Sequence, residues 1–118
     1  DINVLRDRNP LFTTLSDGGI RNGYTFKVLN KAREQRTFAI SADGLDGIEL
    51  KLVGSEDVND FATPYVTVKS DRVQSFRLLV TVPRAAMSDD SEDIRFVLHE
   101  INNTATATYD SVFRGPDK

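Results

Sequence analysis

Apolar residues in this chain recur at every second position, and that one regularity limits what it can fold into. In GYTFKVLNK, Tyr24, Phe26 and Val28 alternate with Thr25 and Lys27. In RTFAIS, Phe38 and Ile40 alternate with Thr37 and Ser41. In VQSFRLLVTVP, Phe76, Leu78, Val80 and Val82 share a face opposite Arg77 and Thr81. Ile94, Phe96 and Leu98 share another face. In TATATYDSVF, Ala105, Ala107, Tyr109, Ser111 and Phe113 oppose Thr104, Thr106, Thr108 and Asp110. Successive side chains of a strand point to opposite faces, so this period fits sheets with one face on a core and one in water. Shorter runs, Ile48 to Leu52 and Tyr65 to Val68, fill the gaps. No amphipathic helix of useful length is found.

Turn residues punctuate these runs: Asp17-Gly18-Gly19, Asn22-Gly23, Asp43-Gly44, Asp46-Gly47, Ser70-Asp71 and Ser88 to Glu92. Short alternating strands at such spacing predict an all-β chain, an immunoglobulin-like β-sandwich of about seven or eight antiparallel strands in two sheets. A length of 118 residues fits one domain with a real core. There is no cysteine and no tryptophan, so the Cys…Trp…Cys core of antibody domains is absent and no disulfide is expected. The Phe, Leu, Ile and Val faces must hold the core alone.

The same composition narrows function. Without cysteine there is no thiolate nucleophile, thiolate metal site or iron–sulfur ligand. A net charge of −3 and a pI near 5.1 speak against nucleic acid, which calls for a clustered basic face. No apolar run approaches the ~20 residues that span a bilayer. The first residue is Asp1 rather than Met, which reads as a piece excised from a longer protein.

The candidate chemistry is sparse. His99 is the only histidine and Met87 the only methionine. A zinc or copper site wants several such ligands, and the alternation turns His99 outward with Arg95 and Val97. Asp89, Asp90, Glu92 and Asp93 form an acidic run without calcium-loop spacing, read as a solvated loop between two strands. Asp43 to Gly47 reads as tight turns. No nucleophile elbow or phosphate loop is found, so the domain is read as no enzyme, and no catalytic, cofactor-binding or metal residue is expected in it. Asn102-Asn103-Thr104 fits a glycosylation sequon but carries little weight.

The most specific stretch is VLRDRNPLFTTLSDGGIRNGYTFKVLNK. Its Val4, Leu5, Arg6, Asp7, Arg8, Asn9, Pro10 and Leu11, then Asp17, Gly18, Ile20, Arg21, Asn22, Gly23, Tyr24, Leu29 and Asn30, resemble the start of the C-terminal domain of the FixG family, the cytochrome c oxidase accessory proteins. The strand before Pro83, DIRFVLHE and SVFRGP, with Phe113, Gly115 and Pro116, extend the resemblance more loosely across the chain. The resemblance implies a periplasmic immunoglobulin-like domain that follows the last transmembrane helix of a bacterial inner-membrane protein. It implies two 4Fe-4S clusters elsewhere in that protein, held by cysteines this chain lacks, and no cofactor here. It implies support of cbb-type oxidase assembly through copper handling.

Two readings of different class follow, with a third beside them. The first is a non-catalytic interaction or orienting module whose partners are oxidase subunits, copper-delivery proteins and the membrane part of its own chain, not nucleic acid. The second is direct copper binding through His99, Met87 and the acidic run. The third is an extracellular immunoglobulin-like module of some other protein. Partner contacts are expected at the loops holding Asp17, Gly18, Arg21, Asn22, Asp43 and Asp46. Residues 1–10, with Arg6, Asp7 and Arg8, are expected to form a membrane junction ahead of a sandwich over 11–114. Pro10 biases Asn9 to extended backbone, and a short first strand is expected around Leu11, Thr13 and Leu15.

Overall fold

A computed structural model describes residues 2–8, 10–53, 64–101 and 104–116. Among the described residues nine strands appear in chain order: β1 (Ile2–Arg6), β2 (Thr13–Thr14), β3 (Ile20–Asn30), β4 (Arg36–Asp43), β5 (Glu49–Leu52), β6 (Tyr65–Val68), β7 (Arg72–Val82), β8 (Ser91–Glu100) and β9 (Thr106–Arg114). One short 3-10 turn, Arg84–Ala86, follows Pro83. No helix among the described residues is long and apolar enough to cross a membrane.

The strands form two antiparallel sheets. One runs β1-β3-β7-β5 with β2 also on β3, and the other runs β6-β4-β8-β9. The strongest alternations read from the sequence become buried rows, while Phe38, Phe76, Ala107 and Tyr109 are half-buried against them. Ile20, Tyr24, Phe26 and Val28 of β3, Leu78, Val80 and Val82 of β7, and Ile94, Phe96 and Leu98 of β8 meet in the core. The expected sandwich without a disulfide is therefore the fold found.

Three rings occupy the middle of that core. Phe96 of β8 meets Tyr24 and Phe26 of β3 edge-to-face, at centroid distances of 4.8 and 4.9 Å. The positive ring edge lies against the negative face, a geometry worth about 0.5–1.5 kcal/mol per pair beyond burial. These contacts bind one sheet to the other.

Turn chemistry follows backbone need at the Asp43–Gly47 corner. Gly44 sits at φ +115°, and a Cβ there would approach the Asp93 carbonyl to 2.6 Å. Gly47 is at φ +71° against the Pro83 ring. Only glycine meets both demands cheaply.

Two boundary expectations are corrected. Residues 1–10 are not all outside the sandwich: β1 pairs with β3 from Ile2↔Val28 to Arg6↔Tyr24, and Val4 is buried. The charges of Arg6, Asp7 and Arg8 hid an alternation of Ile2, Val4 and Arg6 facing inward. The strand expected around Leu11 to Leu15 shrinks to the two residues Thr13 and Thr14. Asn9 and the sequon residues Asn102 and Asn103 lie outside the described residues.

Candidate functional site

The specific stretch at the start of the chain folds onto the open side of the sandwich, where β1 of one sheet runs beside β9 of the other. Asn22-Gly23, expected as a turn, lies inside β3, because Ile20 to Asn30 pair without a break with Val82 to Arg72. Arg21 and Asn22 are therefore strand residues and not loop residues. Asn22 is buried, and its amide copies a strand partner. Its Nδ2 donates to the Arg114 carbonyl and its Oδ1 accepts the Arg114 N–H, both at 2.8 Å. Tyr24 donates its hydroxyl to the Val112 carbonyl at 2.7 Å. Burial pushes this phenol well above the ordinary tyrosine range.

The far end of β3 carries a matching tie. Asn30 is also buried, and its Nδ2 donates to the Val68 and Glu34 carbonyls at 3.0 Å and more weakly to Lys69 at 3.3 Å. Its Oδ1 accepts the Ala32 N–H at 2.9 Å. Two asparagines thus hold one strand of the first sheet to the main chain of the second.

On the outer face, Asp7 and Arg77 pair across Gly23. Arg77 Nη1 donates to Asp7 Oδ1 at 2.9 Å, and Nη2 donates to Oδ2. The Asp7 N–H donates to the Gly23 carbonyl at 2.9 Å. A Cβ on Gly23 would enter this pair, reaching Arg77 Nη2 at 2.7 Å. Glycine stands in mid-strand because two side chains cross over it.

The hydrogen bond from Arg77 holds the Asp7 carboxyl below its ordinary value of 3.8, against opposing desolvation. Glu92 and Asp110 are lowered too, by hydrogen bonds from Ser88 and Arg95. A lowered carboxylate contributes stability above its unfolded pKa and loses it as pH falls through the folded one. The domain should lose stability below about pH 4. Asp7→Asn should shallow that loss and cost under about 1 kcal/mol at pH 7, since the pair is solvent-screened. Urea midpoints from pH 7 to pH 2.5 check this; an unchanged acid slope in Asp7→Asn contradicts it.

The remaining expected site residues divide by location. Asp17 Oδ1 accepts the Gly19 N–H at 2.8 Å, and Gly18 sits at φ +90°, so this loop is a closed turn. Asp43 ends β4 opposite Arg95. With Gly44, Asp93, Ile94, Asp110 and Ser111 these two residues line a cavity of about 380 Å³. Asp46 is exposed in the following turn. The register sets the Asp17 turn at the Ile20↔Val82 end of its sheet and Asp43 at the corresponding end of the other, tied by Gly47 against Pro83. Arg6, Asp7 and Arg8 stand apart from that loop end, along the open side.

His99 faces solvent, as the alternation requires. Met87 is buried against Gly115 near the start of β8, whereas His99 pairs with Thr106 near its far end. The two soft ligands therefore do not share a site. Among the described residues no three His, Cys, Asp or Glu side chains are grouped to hold a metal. The acidic run closes on itself: Glu92 accepts the Ser88 N–H and hydroxyl at 2.7 Å and the Asp89 N–H at 3.2 Å.

Sequence reasoning missed Arg77, Arg95 and Arg114 as partners, because their contacts are 15 to 92 residues distant along the chain. One signal for the first was present, a glycine inside an alternating run.

Fold and site together describe a cysteine-free immunoglobulin-like sandwich whose distinctive polar residues tie one sheet to the other. Residues 1–116 match the family model described as "IG-like fold at C-terminal of FixG, putative oxidoreductase", and the chain belongs to that family. It is 30% identical over 116 residues to the nitrogen fixation protein FixG of Rhizobium meliloti, which covers 98% of this chain and 22% of that protein. It is 31% identical over 117 residues to protein RdxB of Cereibacter sphaeroides, covering 98% and 23%. The chain thus spans less than a quarter of the length of either relative. A crystal structure of a FixG-related protein from Vibrio parahaemolyticus has the same fold, with a TM-score of 0.76 at 23% identity over 97% of this chain and 94% of that one.

Proposed function

We propose that this chain is the non-catalytic docking and orienting domain of a membrane-bound iron–sulfur accessory protein. On this reading it lies on the periplasmic side of the bacterial inner membrane and supports assembly of a cbb-type cytochrome c oxidase, including the handling of its copper. Family membership supplies the context. One observation carries the role: Asn22, Tyr24 and Asp7 of the signature stretch are engaged by main chain and by Arg77 and so maintain a shape. What the sandwich offers outward is strand edges and loop ends, the surfaces through which such folds bind proteins. With no cysteine the chain has no thiolate for a 4Fe-4S cluster, so cluster chemistry falls to the rest of the protein.

Calorimetry tests the docking role. The isolated domain is titrated with each subunit of the oxidase and with the copper-delivery proteins of the same bacterium. Heat of binding to at least one is expected. If the full-length protein binds a subunit and the domain binds none, docking does not reside in this domain.

A further inference from the structure

The open side of the sandwich carries a feature that none of the internal ties uses. A groove of about 410 Å³ runs between β1 and β9, lined by Val4, Leu5, Arg6 and Arg8 on one side and Tyr109 to Val112 on the other. Among the described residues β8 is the one strand paired with β9. In an antiparallel pair, the N–H and C=O of every second residue point away from the partner strand. The bonds at the two ends of β9 fix which residues those are. Gly115 and Ala105 bond to the β8 side, through Asp90 and Glu100. Arg114 and Val112 turn the other way, to Asn22 and Tyr24. The main chain of Thr106, Thr108 and Asp110 therefore points out into the open side.

Among the described residues Thr106 to Asp110 holds no lysine, proline or bulge, while β1 runs beside the Tyr109 to Val112 end of the strand. A free strand edge is normally blunted by lysine, proline, a bulge or a covering loop. The stretch Thr106 to Tyr109 is TATY, with exposed Thr106 and Thr108 that favour extended backbone. Charge marks what fits beside it. Asp110 is neutralised by Arg95, whose Nε donates to its Oδ1 at 2.7 Å. Arg6 and Arg8 have no ion-pair partner among the described residues. Arg6 Nη1 is buried at the groove without a hydrogen-bond acceptor. A buried guanidinium N–H left unpaired is costly, and a carboxylate is the acceptor that suits it.

We propose that the outer edge of β9 takes an extended acidic segment of a partner protein as an added strand, with its main chain on Thr106 to Asp110 and a carboxylate on Arg6 and Arg8. This deepens the docking role proposed above and rests on it. Main-chain pairing would give affinity, and the two arginines would select acidic sequence.

The probe is an acetylated, amidated peptide of alternating valine and glutamate, eight residues long, followed by amide shifts of the ¹⁵N-labelled domain. A lysine–valine peptide and phosphatidylglycerol vesicles are the controls. Saturable binding of the glutamate peptide, with shifts centred on Thr106 to Val112, is expected. Thr108→Pro removes one outward N–H and leaves the β8 ladder intact. Thr108→Pro and Arg6→Gln should each weaken binding at least about tenfold, the loss of one good hydrogen bond. The exposed Arg8→Gln gives a smaller loss and serves if either of the others unfolds. No binding, shifts on another edge, equal binding of the lysine peptide, or arginine-dependent binding to vesicles alone would overturn the proposal.

A second experiment separates this proposal from the role beneath it. A photo-cross-linker is placed in the full-length membrane protein at Thr108 or at Tyr65, on the opposite edge of the same sheet. A cross-link to an oxidase subunit at Thr108 supports the β9 edge. A cross-link at Tyr65 alone overturns the β9 edge and leaves docking standing. No cross-link at either, together with silent calorimetry, removes both.

Discussion

Phe96→Ala should unfold this domain at far lower urea than the native chain, with a loss of about 3–5 kcal/mol. Phe96 is fully buried and is the ring that both Tyr24 and Phe26 meet across the two sheets. Truncation removes its transfer free energy, leaves a cavity and breaks both edge-to-face contacts. Domains of this size have only about 5–15 kcal/mol in total, so the variant sits near the limit of folding at 37 °C. Val73→Ala is the matched control. Val73 is 60% exposed on β7, and its loss should stay within about 0.5 kcal/mol. Equilibrium unfolding of the two variants measures the difference, and a Phe96→Ala cost near that of Val73→Ala would contradict the packing described.

Asn22→Ala should be nearly as damaging, for a different reason. The asparagine is 1% exposed and forms both polar bonds to the Arg114 main chain. Without it, a buried N–H and a buried C=O lose their partners, at about 1–3 kcal/mol each. A loss of about 2–4 kcal/mol is expected, with faster amide exchange at Arg114. Asn22→Asp gives the sharper outcome. A carboxylate can accept the Arg114 N–H but meets the Arg114 carbonyl with a second negative oxygen. Burial and that repulsion raise the pKa of the new acid above its unfolded value. Its protonated form can donate to the carbonyl, so stability is present at low pH and lost as pH rises through the raised pKa. That slope is opposite to the one assigned to Asp7, and urea midpoints at pH 4 and pH 7 distinguish them. Equal stability of Asn22→Asp at both pH values would refute the amide's role as a strand mimic.

The sandwich was legible because its code is local. Alternation at Tyr24 to Val28, Phe76 to Val82 and Ile94 to Leu98 names strands and faces without knowledge of their neighbours. Register is not local, and the errors fall there. Asn-Gly is a strong turn signal, and a turn is the expectation it raises at Asn22-Gly23. In the fold both residues are mid-strand, Gly23 because Asp7 and Arg77 cross above it, Asn22 because Arg114 needs a partner 92 residues away. β1 was missed for a related reason. A strand whose third inward residue is Arg6 looks like a charged linker until the open side of the sandwich gives the guanidinium a place. His99 faces solvent as its own strand's alternation requires, whereas the acidic run, expected as a loop between strands, enters β8 at Glu92 and Asp93.

Those corrections bear on function. A stretch specific enough to mark the family proves to hold the sandwich together, and its Asn22, Tyr24 and Asp7 account for shape before any partner is considered. Variants such as Asn22→Ala should then impair function only as far as they lower the folded fraction. What remains for recognition is the side of the sandwich the stretch builds.

The role itself is tested most directly in the full-length protein. The domain is deleted in the native bacterium, and two quantities are measured together: the 4Fe-4S content of the purified accessory protein and the amount of assembled cbb-type oxidase. The expected result is intact clusters with oxidase reduced severalfold. Unchanged oxidase at normal protein level would contradict a docking role for this domain.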